Sequence, residues 1–173
     1  MSTNNFPRLR FNFGFLLESS LGTSRVIELD YPTIQVSEDV TLTPLQGRLT
    51  ATRTSEGVYV NGRFQSAILT ECVRCLDETL VPIDIEMDEL FYYPPETMPQ
   101  NEDAFAFDGE TGFIDLGPLM RELSLLALPT QPLCRPDCLG LCMECGQNLN
   151  EGDCNCQDDD IDPRMAKLRS LLE

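Results

Sequence analysis

Hydrophobic and polar positions alternate in the first part of the chain. In segment 9–17 the apolar residues fall at every second position, which is the period of a β-strand with one buried face. Segments 25–31, 40–53 and 57–69 are rich in β-branched and aromatic residues, and turn-forming residues separate them. The pattern therefore predicts a series of β-strands in this part of the chain.

Two features add detail to this sheet. Asn61-Gly62 is the residue pair of a two-residue hairpin turn, so the sequence predicts a hairpin there. From Val81 to Asp88, apolar residues alternate with a proline and three acids, which indicates a half-buried strand with acids on its exposed side. We expect an antiparallel sheet that is partly closed into a barrel.

Residues 94–112 contain proline, glycine and acids without periodicity, and they predict a long acidic loop. Phe105 and Phe107 lie in this loop. They are interpreted either as anchors for a partner or as aromatic residues that fold back on the domain.

A helix is predicted after the loop, with Asp115 as its cap and Pro118 in its first turn. Its apolar residues recur at steps of three and four until Pro129: Leu116, Leu119, Met120, Leu123, Leu126 and Ala127. We expect this helix to cover one face of the sheet. A short terminal helix is predicted from Asp162 to Leu172, with a proline at its first position.

Together these elements predict an α+β fold, namely an antiparallel, partly barrel-like β-sheet with one covering helix. The predicted β-rich domain spans residues 1–130 and includes the acidic loop 94–112. Residues 131–173 form the second predicted unit, a cysteine-rich zinc module that ends in the short helix.

The formal net charge of -17 is unevenly distributed. Positive and negative residues balance over residues 1–70, whereas residues 71–122 contain two arginines against fourteen acids. One interpretation is that the middle of the chain repels the phosphate of nucleic acids and attracts basic partners. The other is that the acidic charge only keeps the protein soluble. No run of eighteen apolar residues and no signal peptide is present, so we expect a cytoplasmic protein without a membrane segment.

The eight cysteines stand at short, regular spacings, and the chain contains no histidine. In a reducing compartment such spacings indicate metal ligands more often than disulfides. Four thiolates suit a tetrahedral zinc ion, and Gly146 after a cysteine pair fits the tight turn of such a site. The predicted ligands of one or two structural Zn²⁺ ions are Cys72, Cys75, Cys134, Cys138, Cys142, Cys145, Cys154 and Cys156.

Three divisions of the cysteines are open. The first joins Cys142, Cys145, Cys154 and Cys156 in one site, because this closes short loops, and leaves the other four for a second site. The second joins Cys134, Cys138, Cys142 and Cys145, and pairs Cys154 and Cys156 with Cys72 and Cys75. In the third, only one site is filled.

The metal and the class of function also have alternatives. Cysteines hold iron–sulfur clusters too, and thiols that bind zinc can form disulfides in a redox switch. Catalysis has little support, since a closed four-sulfur zinc offers no open position for water and the chain has no histidine base. We therefore expect a protein that is not an enzyme and takes no small-molecule substrate.

The segments "ECVRCLDE", "FIDLGPLMRELSLLALP" and "CRPDCLGLCMECGQNLNEGDCNC" resemble the YceD family, the large ribosomal RNA subunit accumulation proteins. The resemblance extends from about Gly47 to Cys156, and the phrase C-x-G-L-C-x-x-C-G-x-N-L-N is its most specific part. It implies a non-enzymatic factor for accumulation of 23S rRNA and biogenesis of the large ribosomal subunit. Some family members lack the C-terminal cysteines, which implies that the zinc module is an accessory.

The charge suggests what such a factor would bind. Our hypothesis is that it holds a basic ribosomal protein, or binds one in a precursor of the large subunit, and protects the rRNA indirectly. Direct contact with 23S rRNA through basic residues in the first part of the chain is the competing hypothesis; these are Arg8, Arg10, Arg48, Arg53 and Arg63. A thiol-based redox or zinc-responsive regulator is the alternative from another class.

Overall fold

A computed structural model describes residues 9–99 and 104–156. Its strands are β1 (Arg10–Asn12), β2 (Ser24–Tyr31), β3 (Ile34–Gln35), β4 (Thr41–Leu42), β5 (Leu45–Arg53), β6 (Gly57–Glu71), β7 (Glu78–Tyr92), β8 (Phe105–Ala106) and β9 (Phe113–Asp115). Its helices are α1 (Gly14–Leu17) and α2 (Gly117–Ala127), and Pro95–Thr97 forms a single 3-10 turn. The predicted terminal helix over 162–172 lies outside the described residues.

A long antiparallel hairpin of β6 and β7 is the centre of the main sheet. Each strand has 15 residues, and all 15 positions of β6 pair with β7, from Gly57↔Tyr92 to Glu71↔Glu78. On its other edge β6 pairs first with β5 and then with β4, at Leu42↔Ile68. Strand β2 continues the sheet beyond β5, and β8 pairs in parallel with the end of β7. The turn of the hairpin therefore projects from one end of the sheet.

The predicted antiparallel sheet is confirmed, whereas its partial closure into a barrel is not. The main sheet has seven strands, and in the described part of the chain none of its pairings joins its ends into a ring. Strands β1 and β9 form a separate two-stranded sheet. The architecture is thus an open, mostly antiparallel sheet with few helices.

The alternating strand over 81–88 is confirmed. Val81, Ile83, Ile85 and Met87 are buried, while Asp84, Glu86 and Asp88 are exposed. Helix α2 packs against β7, and its residues Leu119 and Met120 are buried in the same core together with the N-cap residue Leu116. Asp115 contacts the start of this helix as expected, but from one position before the N-cap, where its Oδ1 accepts a hydrogen bond from the Gly117 amide at 2.9 Å.

The predicted turn at Asn61-Gly62 is wrong, because both residues lie in the middle of β6 and pair with Asp88 and Met87. The glycine is required by packing and not by a turn. A Cβ at Gly62 would lie 2.8 Å from the Phe64 ring and 2.8 Å from the Arg48 carbonyl oxygen. The chain turns earlier, where the Thr54 amide donates to the Gly57 carbonyl at 2.9 Å.

Two other expectations are corrected in part. The first strand ends at Asn12, because the amides of Phe13 and Gly14 both donate to the Gly112 carbonyl and turn the chain into α1. As a result Phe13 is buried, but Phe15 is 47% exposed. Segment 40–53 forms two strands, since Pro44 separates β4 from β5.

The aromatic residues of the acidic loop fold back onto the domain. Phe107 is fully buried, and its ring meets the Tyr93 ring edge to face. Phe105 is half-buried and packs on Phe91 with 5.6 Å between ring centroids. The interpretation of these residues as free anchors for a partner is therefore wrong, and the alternative is confirmed.

Candidate metal centre

Four cysteines from distant parts of the chain meet at the turn of the β6–β7 hairpin. Cys72 and Cys75 lie in the turn itself, and Cys134 and Cys138 lie in the loop that follows α2. Their sulfur atoms all lie within 4.8 Å of one another. We refer to these four residues as the first thiol cluster.

The second thiol cluster consists of Cys142, Cys145, Cys154 and Cys156, whose sulfur atoms also lie within 4.8 Å of one another. The structure thus groups the cysteines as in the first of the three divisions. The second division is not observed, because Cys134 and Cys138 lie with Cys72 and Cys75. Short loops between the ligands are closed at the lowest entropic cost, which explains this grouping of the last four.

The turns around the two C-x-x-C pairs have the same hydrogen bonds. In the first turn the Cys72 amide donates to the Asp77 carbonyl and the Leu76 amide to the Cys72 carbonyl, each at 2.9 Å. In the second turn the Cys142 amide donates to the Gln147 carbonyl at 2.8 Å, and the Gly146 amide donates to the Cys142 carbonyl at 2.9 Å. The residue after each pair has positive φ, at 63° for Leu76 and 73° for Gly146. The predicted role of Gly146 in a tight turn is therefore confirmed.

The sulfur geometry fits a tetrahedral metal ion. Four sulfurs at about 2.3 Å from zinc are separated from one another by about 3.8 Å. In the first cluster the Sγ atoms of Cys72 and Cys138 are 3.8 Å apart, and those of Cys75 and Cys134 are 3.6 Å apart. Either cluster could hold one metal ion through its four thiols.

Hydrogen bonds lower the pKa of at least one thiol in each cluster. Burial raises the pKa of Cys72, but hydrogen bonds from the amides of Cys75, Cys134 and Arg74 outweigh it and lower the pKa to about 6. The amides of Cys145 and Glu144, with the Cys154 thiol, lower the pKa of Cys142 to about 7. Since metals bind the thiolate, these amides favour the ligand form at neutral pH.

The two clusters differ in burial. Cys72, Cys75 and Cys138 are buried, and they form a small core with Leu133, Cys134 and Leu141. In the second cluster Cys145 and Cys156 are exposed, and Cys142 and Cys154 are half-buried. A metal ion in the first cluster would therefore be shielded from water and chelators, whereas the second cluster is open to both.

Several polar residues that the sequence analysis did not identify hold the clusters together. The Arg74 guanidinium donates to the Cys138 carbonyl at 2.8 Å, and the Arg74 carbonyl accepts from the Leu141 amide at 3.1 Å. Asn148 donates to the Asp77 carboxylate at 3.1 Å, and Asn150 donates to the Cys138 sulfur at 3.3 Å. The signal for these contacts was present in the repeated asparagines of "NLN", which lie within the most specific motif.

An acidic surface lies on the sheet, opposite the core. Residues paired directly across antiparallel strands share a face, so Glu28, Arg48, Arg63 and Glu86 form one row across four strands. Asp30, Gln46, Gln65 and Asp84 form the next row. We call this exposed side of β2, β5, β6 and β7 the open face.

The open face has more acids than bases. Arg48 pairs with Glu28 at 3.1 Å and Arg63 with Glu86 at 3.2 Å, so both of its arginines are already neutralised. Asp30, Asp84 and Asp88 have no ion pair within the described ranges and accept hydrogen bonds from Gln46, Gln65 and Tyr59. This surface would attract a positively charged partner.

Of the arginines proposed for RNA contact, the four that the structure describes do not form one basic patch. Arg48 and Arg63 are neighbours, but each is bound to a glutamate. Arg53 donates to the Gly57 carbonyl at 3.1 Å, and Arg10 stacks over the Phe113 ring at 4.7 Å in the two-stranded sheet. Arg8 lies outside the described residues.

The helices of residues 9–99 and 104–156 include none with the length and apolar character of a membrane-spanning helix.

Comparisons of the sequence with known proteins identify a family. The model of the family described as "Large ribosomal RNA subunit accumulation protein YceD" matches residues 60–172, a range that includes both thiol clusters. An uncharacterized protein of Mycobacterium tuberculosis strain H37Rv is 39% identical over 122 residues, which are 68% of this chain and 57% of the relative. The chain therefore spans little more than half the length of this relative.

Two further relatives come from other groups of organisms. The "Large ribosomal RNA subunit accumulation protein YCED homolog 1, chloroplastic" of Arabidopsis thaliana is 33% identical over 72 residues, which are 42% of this chain and 22% of that protein. The uncharacterized protein YlbN of Bacillus subtilis strain 168 is 25% identical over 160 residues, or 90% of both chains. No solved structure gives a significant match.

Proposed function

Because the chain belongs to the YceD family of large ribosomal RNA subunit accumulation proteins, we propose that it supports the accumulation of 23S rRNA during biogenesis of the large ribosomal subunit. The match of the family model to residues 60–172 is the observation that carries this proposal. The protein acts as a binding factor and not as an enzyme. The family match favours this role over a redox or zinc-responsive regulator.

The proposed action is to hold a basic ribosomal protein, free or within a precursor particle. The open face supports this, because Asp30, Asp84 and Asp88 stand beside two arginines that are already paired with glutamates. Basic ribosomal proteins are the components of the particle with the complementary charge. Direct contact with rRNA is the weaker candidate, since phosphate would meet net negative charge on this face.

The thiol clusters have a structural role in this proposal. Each cluster binds one Zn²⁺ through its four cysteines, and the ion of the first cluster fixes the loop after α2 to the turn of the β6–β7 hairpin. The first cluster connects segments that are 59 residues or more apart in sequence, and such distant loops are costly to hold without a cross-link. Zinc in the first cluster therefore stabilises the end of the sheet at which the β6–β7 hairpin turns.

A capture experiment tests the binding proposal. The full chain is immobilised and incubated with precursor particles of the large ribosomal subunit, either intact or after complete digestion of their RNA. We expect a basic ribosomal protein to stay bound after digestion and to be released as salt increases, because exposed charge pairs are screened. Loss of all ribosomal proteins on digestion would show that RNA mediates the contact and would contradict the proposal.

A charge variant identifies the surface in the same experiment. The triple change Asp30→Asn, Asp84→Asn and Asp88→Asn removes unpaired acids from the open face, and we expect it to weaken capture. Glu18→Gln, Glu56→Gln and Glu110→Gln serve as the matched control, since these exposed acids lie away from the open face rows. Equal capture by both triple variants would contradict the assignment of this face.

A further inference from the structure

The open face changes character toward the turn of the hairpin. Beyond the acidic rows, Ala67 pairs with Pro82 and Leu69 pairs with Leu80 across β6 and β7. Leu69 is 56% exposed and Leu80 is 55% exposed, so two large aliphatic side chains lie directly opposite each other in water. An apolar cross-strand pair on the solvent side of a sheet gains little from the fold itself.

More exposed apolar residues lie at the same end. The Leu141 amide contacts the Arg74 carbonyl, so the two cysteine turns run side by side there. Half of the large hydrophobic residues that are exposed in the described ranges lie at this end. We call these six residues the apolar tip: Leu69, Val73, Leu76, Leu80, Leu139 and Met143. Single exposed hydrophobic residues are ordinary, whereas several at one end of a protein indicate an interaction site.

Two glutamates of like charge stand opposite each other beside the leucine pair. Glu71 and Glu78 form the last pair of the hairpin, and both are exposed. Neither forms an ion pair within residues 9–99 and 104–156. Like charges directly across a sheet destabilise it, and a cation placed between them would relieve the repulsion.

The arginines near this end do not supply that cation. Arg74 donates to the Cys138 carbonyl at 2.8 Å. Arg135 contacts the Asp137 carboxylate at 3.5 Å and donates to the Asn150 side-chain oxygen at 2.7 Å. In the described part of the chain no arginine or lysine pairs with Glu71 or Glu78, so this pair suits a positive charge that a partner supplies.

We propose that the apolar tip, together with Glu71 and Glu78, binds a segment of a partner protein in which a lysine or arginine stands next to aliphatic residues. This inference rests on the proposed function and locates the contact on the chain. The aliphatic residues of the segment cover Leu69 and Leu80, and its cation lies between the two glutamates. Contact is through the face of the hairpin, since Pro82 on β7 disfavours the addition of another strand.

The test measures the affinity of a ribosomal protein for variants of the full chain. The probe is the large-subunit ribosomal protein that the wild-type chain captures after RNA digestion, purified and free of RNA. One variant is Leu69→Ser with Leu80→Ser, and the other is Glu71→Gln with Glu78→Gln. Leu126→Ser and Glu56→Gln are the controls, because Leu126 is 81% exposed on α2 and Glu56 is exposed in the turn before β6.

We expect both double variants to bind the probe about tenfold more weakly, and both controls to bind within about twofold of wild type. The Glu71→Gln, Glu78→Gln variant should melt at the same or a higher temperature, since a repulsive pair is removed. Weaker binding without lower stability separates a contact from a structural role. A melting temperature well below that of wild type would contradict the repulsive pair on which the proposal depends.

Three other results would overturn the proposal. If wild type captures a ribosomal protein and the double variants bind it equally well, the apolar tip is not the site, while the proposed function stands. If wild type captures no ribosomal protein, both proposals fail. If the leucine variant converts a dimer into a monomer with unchanged affinity for the probe, a second copy of the chain occupies the tip.

Discussion

The side-chain amide of Asn150 donates a hydrogen bond to the sulfur of Cys138 across 3.3 Å. Asn150 belongs to the loop between the ligands of the second thiol cluster, whereas Cys138 is a member of the first. The Asn150 side-chain oxygen also accepts from the Leu139 amide at 2.8 Å and from Arg135. This one side chain therefore couples the two clusters.

Replacement of Asn150 by alanine should weaken metal binding at the first cluster. A hydrogen bond to a ligating sulfur stabilises the thiolate, and the loss of such a contact typically costs about tenfold or more in metal affinity. Competition of the purified variant with a zinc-binding dye measures this change. Asn61→Ala is the control, because Asn61 is exposed in β6, away from both clusters; equal zinc affinity in the two variants would disprove the coupling.

The unequal burial of the clusters predicts the order of metal release. Elemental analysis should find two zinc ions per chain, one for each group of four thiols. A chelator should remove the ion of the second cluster first, since Cys145 and Cys156 are exposed while Cys75 is only 4% exposed.

Cysteine variants assign the two phases of release. Cys145→Ser should abolish the fast phase and leave the melting temperature of the sheet nearly unchanged, whereas Cys75→Ser should lower it. A single phase of release, one ion per chain, or bound iron would each contradict the assignment.

Gly62 tests the corrected position of the turn. In the middle of β6, a methyl group at this residue would lie 2.8 Å from the Phe64 ring, so Gly62→Ala should destabilise the protein by about 1–3 kcal/mol. Asn61→Thr should be tolerated, because Asn61 is exposed in the strand and threonine favours strands. A large loss of stability in the Asn61→Thr variant, measured by urea denaturation, would indicate a turn at this pair instead.

The error at Asn61-Gly62 shows what the sequence pattern can and cannot decide. Local alternation correctly predicted the buried and exposed sides of β7, because period-two patterns depend only on neighbouring residues. The role of Gly62 depends on the Phe64 ring of the same strand and on the Arg48 carbonyl, whose position follows from the pairing of β5 with β6. No local pattern contains that information.

The candidate site was predictable to a similar extent. Spacing identified all eight cysteines, and loop-closure entropy favoured the grouping that the structure has. The hydrogen bonds of Asn148 and Asn150 were not predicted, since they depend on how the second cysteine turn packs against the first. The opposition of Glu71 and Glu78 likewise follows from the register between β6 and β7, which the sequence pattern does not contain.

The contact between Asp39 and Arg121 predicts a dependence of stability on pH. Arg121 on α2 donates to the Asp39 carboxylate at 2.8 Å, and this hydrogen bond holds the Asp39 pKa well below its ordinary value of 3.8. A carboxyl group with a lowered pKa stabilises the folded state above its unfolded pKa, and the contribution is lost as the pH falls toward the folded pKa.

The Asp39→Asn variant isolates this contribution. Its melting temperature should be below that of wild type near neutral pH, and the difference should shrink as the pH falls below about 4. Ser37→Ala is the control, since it removes only the weaker partner of Asp39. A difference that stays constant down to low pH would contradict a role for the charge of Asp39.

The most direct measurement of the central claim is the ratio of large-subunit to small-subunit rRNA in cells depleted of this protein. We predict that the ratio falls on depletion, and that the wild-type chain and the Glu56→Gln control restore it. The Leu69→Ser, Leu80→Ser variant should restore it less well at equal protein level. An unchanged ratio after complete depletion would contradict the proposal that this protein supports the accumulation of 23S rRNA.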